Sequence, residues 1–389
     1  MGLAERDIGK GRDRAAVAKP FPLPDGFHAI PWQDADLASI EAHWLALAKR
    51  ASFPNPFFEA WFLIPSLEAL DPRGRVMLAM LIADGELRGL TPLQRSDHHH
   101  NRKLTNLSSW THHNAFCATP LVEREFEDQY WAAILDWCDD HAEGALFLHL
   151  PLQCATTSLA AALERACGKA ERKLRTVKRQ ERALLESGQS PESYLASSLT
   201  TKKRKELRRQ RKRLDELGRV EIVKTRGPGD AQDWCQSFLD LEASGWKGKA
   251  GSALSSHSET EVLFRTVIHR AAELGQLERL TLTLDGRPVA MLATFLSGRG
   301  AYSFKTAFDE DLARFSPGVQ LQLANLEQLS DPGLDWCDSC AAQDHAMIDH
   351  IWRERREILW QSVAIGRGPR RFAGAIWTGL EAWWWSRRS

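Results

Sequence analysis

The segment Phe315-Ser316-Pro317-Gly318-Val319 has residue types that begin a helix and leave room for a ligand. Ser316 suits the capping position, and Pro317 suits the first helical position, where its missing N–H has no consequence. Gly318 has no side chain, so a ligand could approach the backbone closely. The free N–H groups and positive dipole end of such a helix form an anion site. A capped helix without a ligand is the alternative interpretation.

Two further segments could supply a cleft wall and a base. Trp246 and Lys247 stand in the glycine-rich loop GWKGKAGSAL, which could line a binding cleft or simply anchor a surface loop. Asp338 and His345 lie at and beyond the end of a strand predicted near 334–337. Because the carboxyl ends of strands face the ligand crevice in open α/β sheets, either side chain could take a proton from an amine. A capped polar loop is the alternative.

Three other patterns favour structural interpretations. The run from Lys202 to Arg213 has nine Lys or Arg among twelve residues, which could bind RNA or phosphate. A solvated helix face is favoured, since no aromatic residues interleave the charges. The WCxxC string at 336–340 is a weak redox or zinc signal, because a zinc site needs two more ligands. The adjacent histidines at 98–100 and 112–113 favour polar loops, because neighbouring side chains point apart, and no metal is predicted.

Composition limits the class of protein. The 389 residues are 43% hydrophobic, which favours a globular chain of two domains. Lys plus Arg equals Asp plus Glu at 51 each, so no overall field draws the chain to nucleic acid or membrane. Seven scattered cysteines and a charged N-terminus without an apolar core favour the reducing cytoplasm. No apolar run approaches the ~18 residues of a spanning helix, so no membrane insertion is predicted.

Strands and helices alternate, which predicts an α/β fold with a mixed sheet covered by helices. Asp285-Gly286 separates predicted strands 277–284 and 288–296 and is the strongest hairpin signal in the chain. A third strand at 301–307 leads to a helix predicted over 317–329. Residues 173–186 are ambiguous in period and are interpreted as a strand. Both halves repeat a helix–hairpin–helix–strand rhythm, which indicates a weak internal duplication.

An ordered set of motifs carries a family resemblance. The motifs, in order, are KKRKELRRQRKRLDELG, LEASGWKGKAGSAL, LDGRPVAMLATF, YSFKTAFDEDLARFSPGVQLQLANL and DSCAAQDHAMIDHIWRERREI. Over about 200–358 the chain resembles the bacterial CelD/BcsL-type, or BioF2-like, acetyltransferase family, a branch of the GNAT superfamily. FPNPFFEAW and LRGLTPLQ in the first half also look like that family. Its members resemble the FemABX aminoacyl transferases, which carry two GNAT-like lobes side by side.

The resemblance implies tandem GNAT-like lobes, each with a mixed, mostly antiparallel sheet flanked by helices. Residues 1–20 are polar and contain glycine, which predicts a disordered tail. The resemblance implies an N-terminal lobe over 21–195 and an acetyltransferase domain over 196–389. The helix start, Ser316, Gly318 and Val319, would face the pyrophosphate of an acyl-CoA. The sequence departs from the usual Gln/Arg-x-x-Gly-x-Gly/Ala fingerprint, with Arg314 four residues before Gly318 and Gln320 at the second glycine.

The activity implied is direct transfer of an acyl group, acetyl above all, from acyl-CoA to an amine of a sugar, lipid or small metabolite, in polysaccharide biosynthesis for example. Asp338, His345 and Asp309, in that order, are the candidate general bases, while Lys305 and Lys247 would pair with acidic groups of the ligands. Lys305 is expected to bind the cofactor, and Trp246 and Lys247 are expected to bind the substrate. Two alternatives stay open: transfer from aminoacyl-tRNA, in which the basic helix would contact RNA, and a non-catalytic accessory protein of an exopolysaccharide system. The sequence predicts no nucleic-acid partner outside the first alternative and no oligomeric state.

Overall fold

The structure, a computed structural model, describes residues 20–345 and 347–387. Apart from Pro20, the tail predicted to be disordered lies outside the described residues. The strands are β1 (Gly26–Pro31), β2 (Val76–Ala83), β3 (Glu86–His99), β4 (Arg102–Ser109), β5 (Leu121–Val122), β6 (Phe147–Cys154), β7 (Leu174–Leu185), β8 (Val220–Arg226), β9 (Leu277–Leu284), β10 (Arg287–Ser297), β11 (Gly300–Phe308), β12 (Trp336–Asp338) and β13 (Glu354–Ala364). The helices are α1 (Leu37–Arg50), α2 (Ala60–Leu70), α3 (Glu127–His141), α4 (Ser158–Lys169), α5 (Pro191–Ser198), α6 (Thr201–Asp215), α7 (Ala231–Ser244), α8 (Trp246–Lys249), α9 (Ser258–Glu273), α10 (Pro317–Ala324) and α11 (Pro369–Trp385).

One mixed sheet contains all of these strands. Its order is β1-β2-β3-β4-β6-β13-β7-β12-β11-β10-β9-β8, and β5 pairs with β3 off this path. Two neighbouring pairs, β4–β6 and β11–β12, are parallel, and the remaining pairs are antiparallel. The predicted fold class, a mixed sheet flanked by helices, is therefore confirmed.

The two halves of the chain exchange strands at the centre of the sheet. Each half contributes four antiparallel strands followed by a parallel fifth, β1–β4 with β6 and β8–β11 with β12. The next strand of the first half, β7, lies between β12 and β13, and β13 in turn lies between β6 and β7. The repeated rhythm of the sequence is thus visible in the sheet, which crosses the domain boundary predicted at 195/196.

The halves also share a hydrophobic core and a buried carboxylate. Trp61 of the first half packs edge-on against Phe295 of the second, with ring centroids 5.0 Å apart. Beside them, Glu59 accepts hydrogen bonds from the Ser297 hydroxyl and from the Gln276 amide at 2.7 Å. Burial raises the pKa of the Glu59 carboxyl. Both apolar and polar contacts therefore hold the halves together.

The structure confirms some of the predicted turns, strands and helices and shortens one helix. The hairpin is confirmed, with Asp285 at φ 49° and Gly286 at φ 79°, as a two-residue turn between twisted strands requires. The ambiguous segment 173–186 forms β7. The helix predicted over 317–329 is shorter, because α10 ends at Ala324 and a 3-10 helix, Asn325–Ser330, continues it with tighter winding. None of the described helices combines the length and apolarity needed to cross a bilayer.

Candidate active site

A gap opens where β11 and β12 part. Their parallel pairing comprises Gly300 with Trp336, Ala301 with Cys337 and Tyr302 with Asp338. The strand β12 then ends, while β11 runs on to Phe308. The facing backbone N–H and C=O groups of β11 are left without a strand partner in the described residues, so they could pair with a ligand lying in the gap.

Lys305 lies on the unpaired part of β11. The register against β10 slips at this point, since Ala293 faces Lys305 and Thr294 faces Ser303, so Phe304 is an extra residue. A bulge of this kind re-aims the side chains around it. The Lys305 ammonium lies 5.5 Å from the ring centroid of Phe116 and 5.6 Å from that of Phe304. Burial, with the nearby charge of Lys247, lowers the pKa of Lys305 from 10.5 to about 8.

A loop of the first half forms the opposite wall. It carries Phe116 and also His112, whose ring stacks on Phe62 with centroids 5.8 Å apart. Burial, with the charges of His113 and Lys305, lowers the pKa of His112 to about 3, so its imidazole is neutral at physiological pH. Its Nδ1 accepts a hydrogen bond of 3.3 Å from the Asn114 N–H, which leaves the proton on Nε2 as a donor.

Trp246 and Lys247, predicted to bind substrate, stand beside the end of β11. Lys247 donates to the buried Glu242 carboxylate at 2.7 Å, and the Trp246 N–H donates to Glu310 at 2.6 Å. A small cavity lies between them and β11, lined by Leu241, Glu242, Gly245, Trp246, Lys247, Thr306, Ala307, Phe308 and Glu310. The structure thus brings these two residues and the strand that carries Lys305 around one space.

The start of α10 has two free amide donors. Ser316 precedes the helix as predicted, but its side chain makes no capping bond, because its backbone is left-handed at φ 54° and ψ 52°. Within the described residues, the N–H groups of Gly318 and Val319 donate no hydrogen bond. A Cβ built on Gly318 would lie 3.1 Å from Met347 and 3.3 Å from Phe308. The glycine therefore allows close packing against β11 and the loop after β12.

The basic helix α6 lies against this region. The Gln320 amide of α10 donates to the Leu207 carbonyl at 2.9 Å, and the Gln210 amide donates to the Arg314 carbonyl at 3.4 Å. A groove of about 260 Å³ between α6 and α10 is lined in part by Arg204, Arg208, Arg211 and Lys212. Cationic side chains therefore stand beside the helix start at which an anion was predicted.

Asp338, the first candidate base, is an ion-paired buried carboxylate. It accepts hydrogen bonds from Arg182 at 3.3 Å, from Arg356 at 3.2 Å and from the Cys340 N–H at 2.8 Å. The Arg356 guanidinium also lies 3.8 Å from the ring centroid of Trp336. Arg182 and the Cys340 N–H contact Oδ1 and Arg356 contacts Oδ2, so both carboxylate oxygens are occupied. This geometry favours a role in joining β7, β12 and β13 over proton transfer.

The other two candidate bases are engaged in local hydrogen bonds. His345 is exposed in the loop after β12, and its Nδ1 accepts a hydrogen bond of 3.4 Å from the Met347 N–H. Asp309 accepts from the Asp311 N–H at 3.0 Å and from Arg287 at 2.8 Å. These contacts give His345 and Asp309 the roles of a loop bond and a cap. Their assignment as bases stays a prediction.

Two histidines of the first half of the chain converge on one carboxylate of α11. The Nε2 atoms of His99 and His100 lie 2.7 and 3.0 Å from the same oxygen of Glu381. The expectation that adjacent histidines point apart is wrong here, because His100 has a left-handed φ of 45° at the β3–β4 turn. These three residues could hold a metal ion, and their mutual hydrogen bonds also account for the arrangement without one. His112 and His113 lie in a loop, as the polar-loop interpretation predicts, although the His112 ring is partly buried against Phe62.

Comparison with known proteins identifies part of the chain. Residues 201–346 match the family model of the acetyltransferase (GNAT) domain. This segment, which includes the gap, α6, Lys305 and α10, is thus a GNAT-type acetyltransferase domain, and the predicted acyltransferase class is confirmed. No curated protein sequence matches the chain.

Solved structures extend the similarity to both halves. FemX is 11% identical with a TM-score of 0.54, over 82% of this chain and 95% of its own. The C-terminal domain of a proposed lysylphosphatidylglycerol synthetase from Agrobacterium fabrum is 12% identical with a TM-score of 0.51, over 86% and 95%. A conserved protein of unknown function from Bacteroides thetaiotaomicron is 14% identical with a TM-score of 0.53, over 86% and 99%. These likenesses establish a shared fold, and the CelD/BcsL branch stays a prediction.

The cleft wall from the first half was missed by sequence reasoning. His112 and Phe116 lie more than a hundred residues from Lys305, and no local spacing links them. One signal was available, since the polar pair His112-His113 stands between the aromatic residues of WTHHNAF. The segment FPNPFFEAW was linked only to the family, yet Phe57 packs 6.2 Å from Phe304 and supports the same wall.

Proposed function

We propose that the protein is an acyl-CoA-dependent N-acyltransferase that acetylates an amine of a small molecule in a ternary complex. The observation that carries this proposal is the pair of free N–H groups at Gly318 and Val319, beside the gap between β11 and β12. Two donors at a helix start suit a pyrophosphate, and unpaired strand backbone suits the amide-bearing arm that follows it. The cations of α6 would neutralise further phosphate charge.

Lys305 is proposed as the proton acceptor. The neutral acceptor amine attacks the thioester carbonyl, and the C–N bond forms as the carbonyl π pair moves to oxygen. The adduct nitrogen then loses its proton to the uncharged Lys305 amine, and collapse of the adduct expels the CoA thiolate, which takes up a proton. A pKa near 8 suits this task, because efficient proton transfer needs a pKa near the working pH. The Nε2–H of His112 is available on the same side to stabilise developing negative charge.

Aminoacyl-tRNA as donor is the second candidate, and α6 is the observation that favours it. This 15-residue helix carries nine Lys or Arg residues and contacts α10 through the Gln320 amide. RNA phosphates would bind such a helix with a steep dependence on salt. An acyl-CoA would contact only a few of these cations, because its phosphates cover a shorter length than those of a tRNA. The two donors therefore differ in the number of α6 cations that they need.

A parallel assay of donors tests the proposal. Purified protein would be incubated with a panel of primary amines and with acetyl-CoA, longer acyl-CoAs or charged tRNA, with products followed by mass spectrometry. We expect acyl-amine and free CoA in equal amounts from an acyl-CoA. Transfer from charged tRNA alone would mean that aminoacyl-tRNA, and not acyl-CoA, is the donor. The absence of transfer from every donor would support the accessory-protein alternative.

A further inference from the structure

The outward face of α11 is apolar along its whole length. Every exposed residue from Pro369 to Trp385 is apolar, namely Pro369, Phe372, Ala373, Ile376, Leu380, Trp383 and Trp384. At 3.6 residues per turn these positions fall within an arc of about 120°. Phe372 is 69% exposed, Leu380 55% and Trp383 54%, so large side chains stand in solvent. A soluble surface helix normally turns its polar side outward.

The opposite face of α11 is fixed to the sheet, so the apolar arc cannot turn inward. Gly374, Thr378 and Glu381 are buried, and a Cβ on Gly374 would lie 2.1 Å from the Leu146 carbonyl oxygen. Glu381 contacts His99 and His100 at 2.7 and 3.0 Å. The single acidic residue of the helix therefore faces the protein, and the exposed arc carries no negative charge.

Cations border the apolar arc at both ends and on one side. The Arg387 guanidinium lies 4.1 Å from the ring centroid of Trp383, and that of Arg102 lies 5.3 Å from Trp377. Lys103 is exposed next to Arg102. At the other end the Arg370 guanidinium donates to the backbone carbonyl of Ala142 at 3.0 Å and to that of Asp139, and no carboxylate of the described residues pairs with it. Apolar residues bordered by cations match the chemistry of an anionic lipid surface.

We propose that α11 lies in the headgroup region of an anionic phospholipid bilayer, with Phe372, Ile376, Leu380 and Trp383 inserted and the bordering cations on the lipid phosphates. Tryptophan and arginine suit that region, because each has an apolar body and a polar group that stays near water. The helix lies on the bilayer and does not span it. A second copy of the chain fits less well, since twofold pairing of this face would oppose cations with no exposed acid on the helix to balance them.

Co-sedimentation of the full chain with vesicles tests the proposal. Vesicles would contain equal parts phosphatidylglycerol and phosphatidylcholine, or phosphatidylcholine alone. We expect most of the protein to pellet with the anionic vesicles and at least tenfold less with the neutral ones. The double variant F372E/L380E should lose binding to the anionic vesicles at least tenfold. The matched control Val262→Glu, an equally drastic change at a 58% exposed apolar residue of α9, should bind as the unaltered protein does.

Two results would overturn the proposal. The first is an unaltered protein that stays in the supernatant with anionic vesicles, and the second is F372E/L380E pelleting as well as the unaltered chain. Sedimentation velocity without lipid tests whether a second copy of the chain covers this face instead. A dimer that F372E/L380E dissociates would assign the face to a second copy. Far-ultraviolet circular dichroism of each variant checks that α11 remains folded.

Discussion

Lys305 shows how a single side chain acquires its chemistry from distant parts of the chain. Its position on β11 follows from local sequence, but its lowered pKa depends on Phe116 and on burial between the halves. Sequence reasoning predicted Lys305 as a ligand-pairing residue and could not predict its pKa, because the residues that bury it are remote. Asp338 shows the reverse, since a position at a strand end suggested a base while Arg182 and Arg356, remote in sequence, occupy its oxygens.

The pH dependence of turnover should report Lys305. If its uncharged amine accepts the proton, kcat/KM rises with pH and levels off above about 8, the pKa in the folded protein. Lys305→Arg keeps the charge but holds its proton over this range, so turnover should fall at least a hundredfold at every pH. The pH dependence of the free energy of unfolding gives an independent test of this pKa. Because the unfolded lysine, with its ordinary pKa of 10.5, binds its proton more tightly, the free energy of unfolding should rise between about pH 8 and pH 10 in the unaltered chain. An active Lys305→Arg would remove the proposed base.

Asp338→Asn should destabilise the protein. Removing one partner from a buried ion pair leaves uncompensated charge, here on Arg182 and Arg356, and typically lowers the free energy of unfolding by about 3–5 kcal/mol. Urea unfolding would measure it, with Asp335→Asn as the control, since that aspartate pairs with Arg299 at the surface and should change little. A variant that unfolds normally but loses turnover would restore Asp338 as a catalytic base.

At the scale of elements, regular periods and turns were predictable, and irregular backbone was not. The hairpin at Asp285-Gly286 and the helix start at Pro317 carry local signals strong enough to fix them. The left-handed Ser316 carries none, because serine is an uncommon choice for that conformation. The bulge at Phe304 also depends on pairing with β10 and leaves no mark in the sequence.

Ser316→Gly should therefore not weaken the protein. Glycine adopts a φ of 54° without the ~1 kcal/mol penalty of an L-residue, so the free energy of unfolding should stay equal or rise by up to about 1 kcal/mol. Ser316→Val, with a β-branched side chain, should lower it by more than 1 kcal/mol. Thermal unfolding of the pair measures both. A destabilised glycine variant would mean that a contact of the Ser316 hydroxyl group stabilises the fold by more than its left-handed backbone costs.

At the scale of the whole molecule, two lobes share one sheet. The internal rhythm of the sequence indicated a duplication, and the family resemblance implied two lobes. The exchange of β7 and β13 joins residues about 170 to 190 positions apart and has no local signature. Its consequence is that neither half contains its complete set of strands. The segment 196–389 lacks β7, and the segment 21–195 lacks β13, although the predicted boundary separates them there.

Separate expression should show this dependence. We expect the halves 21–195 and 196–389 to aggregate or lack fixed tertiary structure when produced alone, because each exposes an unpaired strand edge at the centre of the sheet. Produced together, they should associate and regain the near-ultraviolet circular dichroism of the intact chain. A half that folds alone and remains monomeric would show that the exchanged strand is dispensable.

Calorimetric titration with matched donors would show whether the start of α10 binds the pyrophosphate of an acyl-CoA, as we propose. Acetyl-CoA would be compared with acetyl-pantetheine, which has the same acyl arm but no pyrophosphate, on the unaltered chain, on Val319→Asp and on the uncharged control Val319→Thr. An added carboxylate at this position suits the helix dipole but repels a bound phosphate. We expect acetyl-CoA to bind the unaltered chain and Val319→Thr at least tenfold more tightly than acetyl-pantetheine does, and we expect Val319→Asp to remove this difference. Equal affinities for the two donors, or unchanged binding of acetyl-CoA to Val319→Asp, would contradict the proposal.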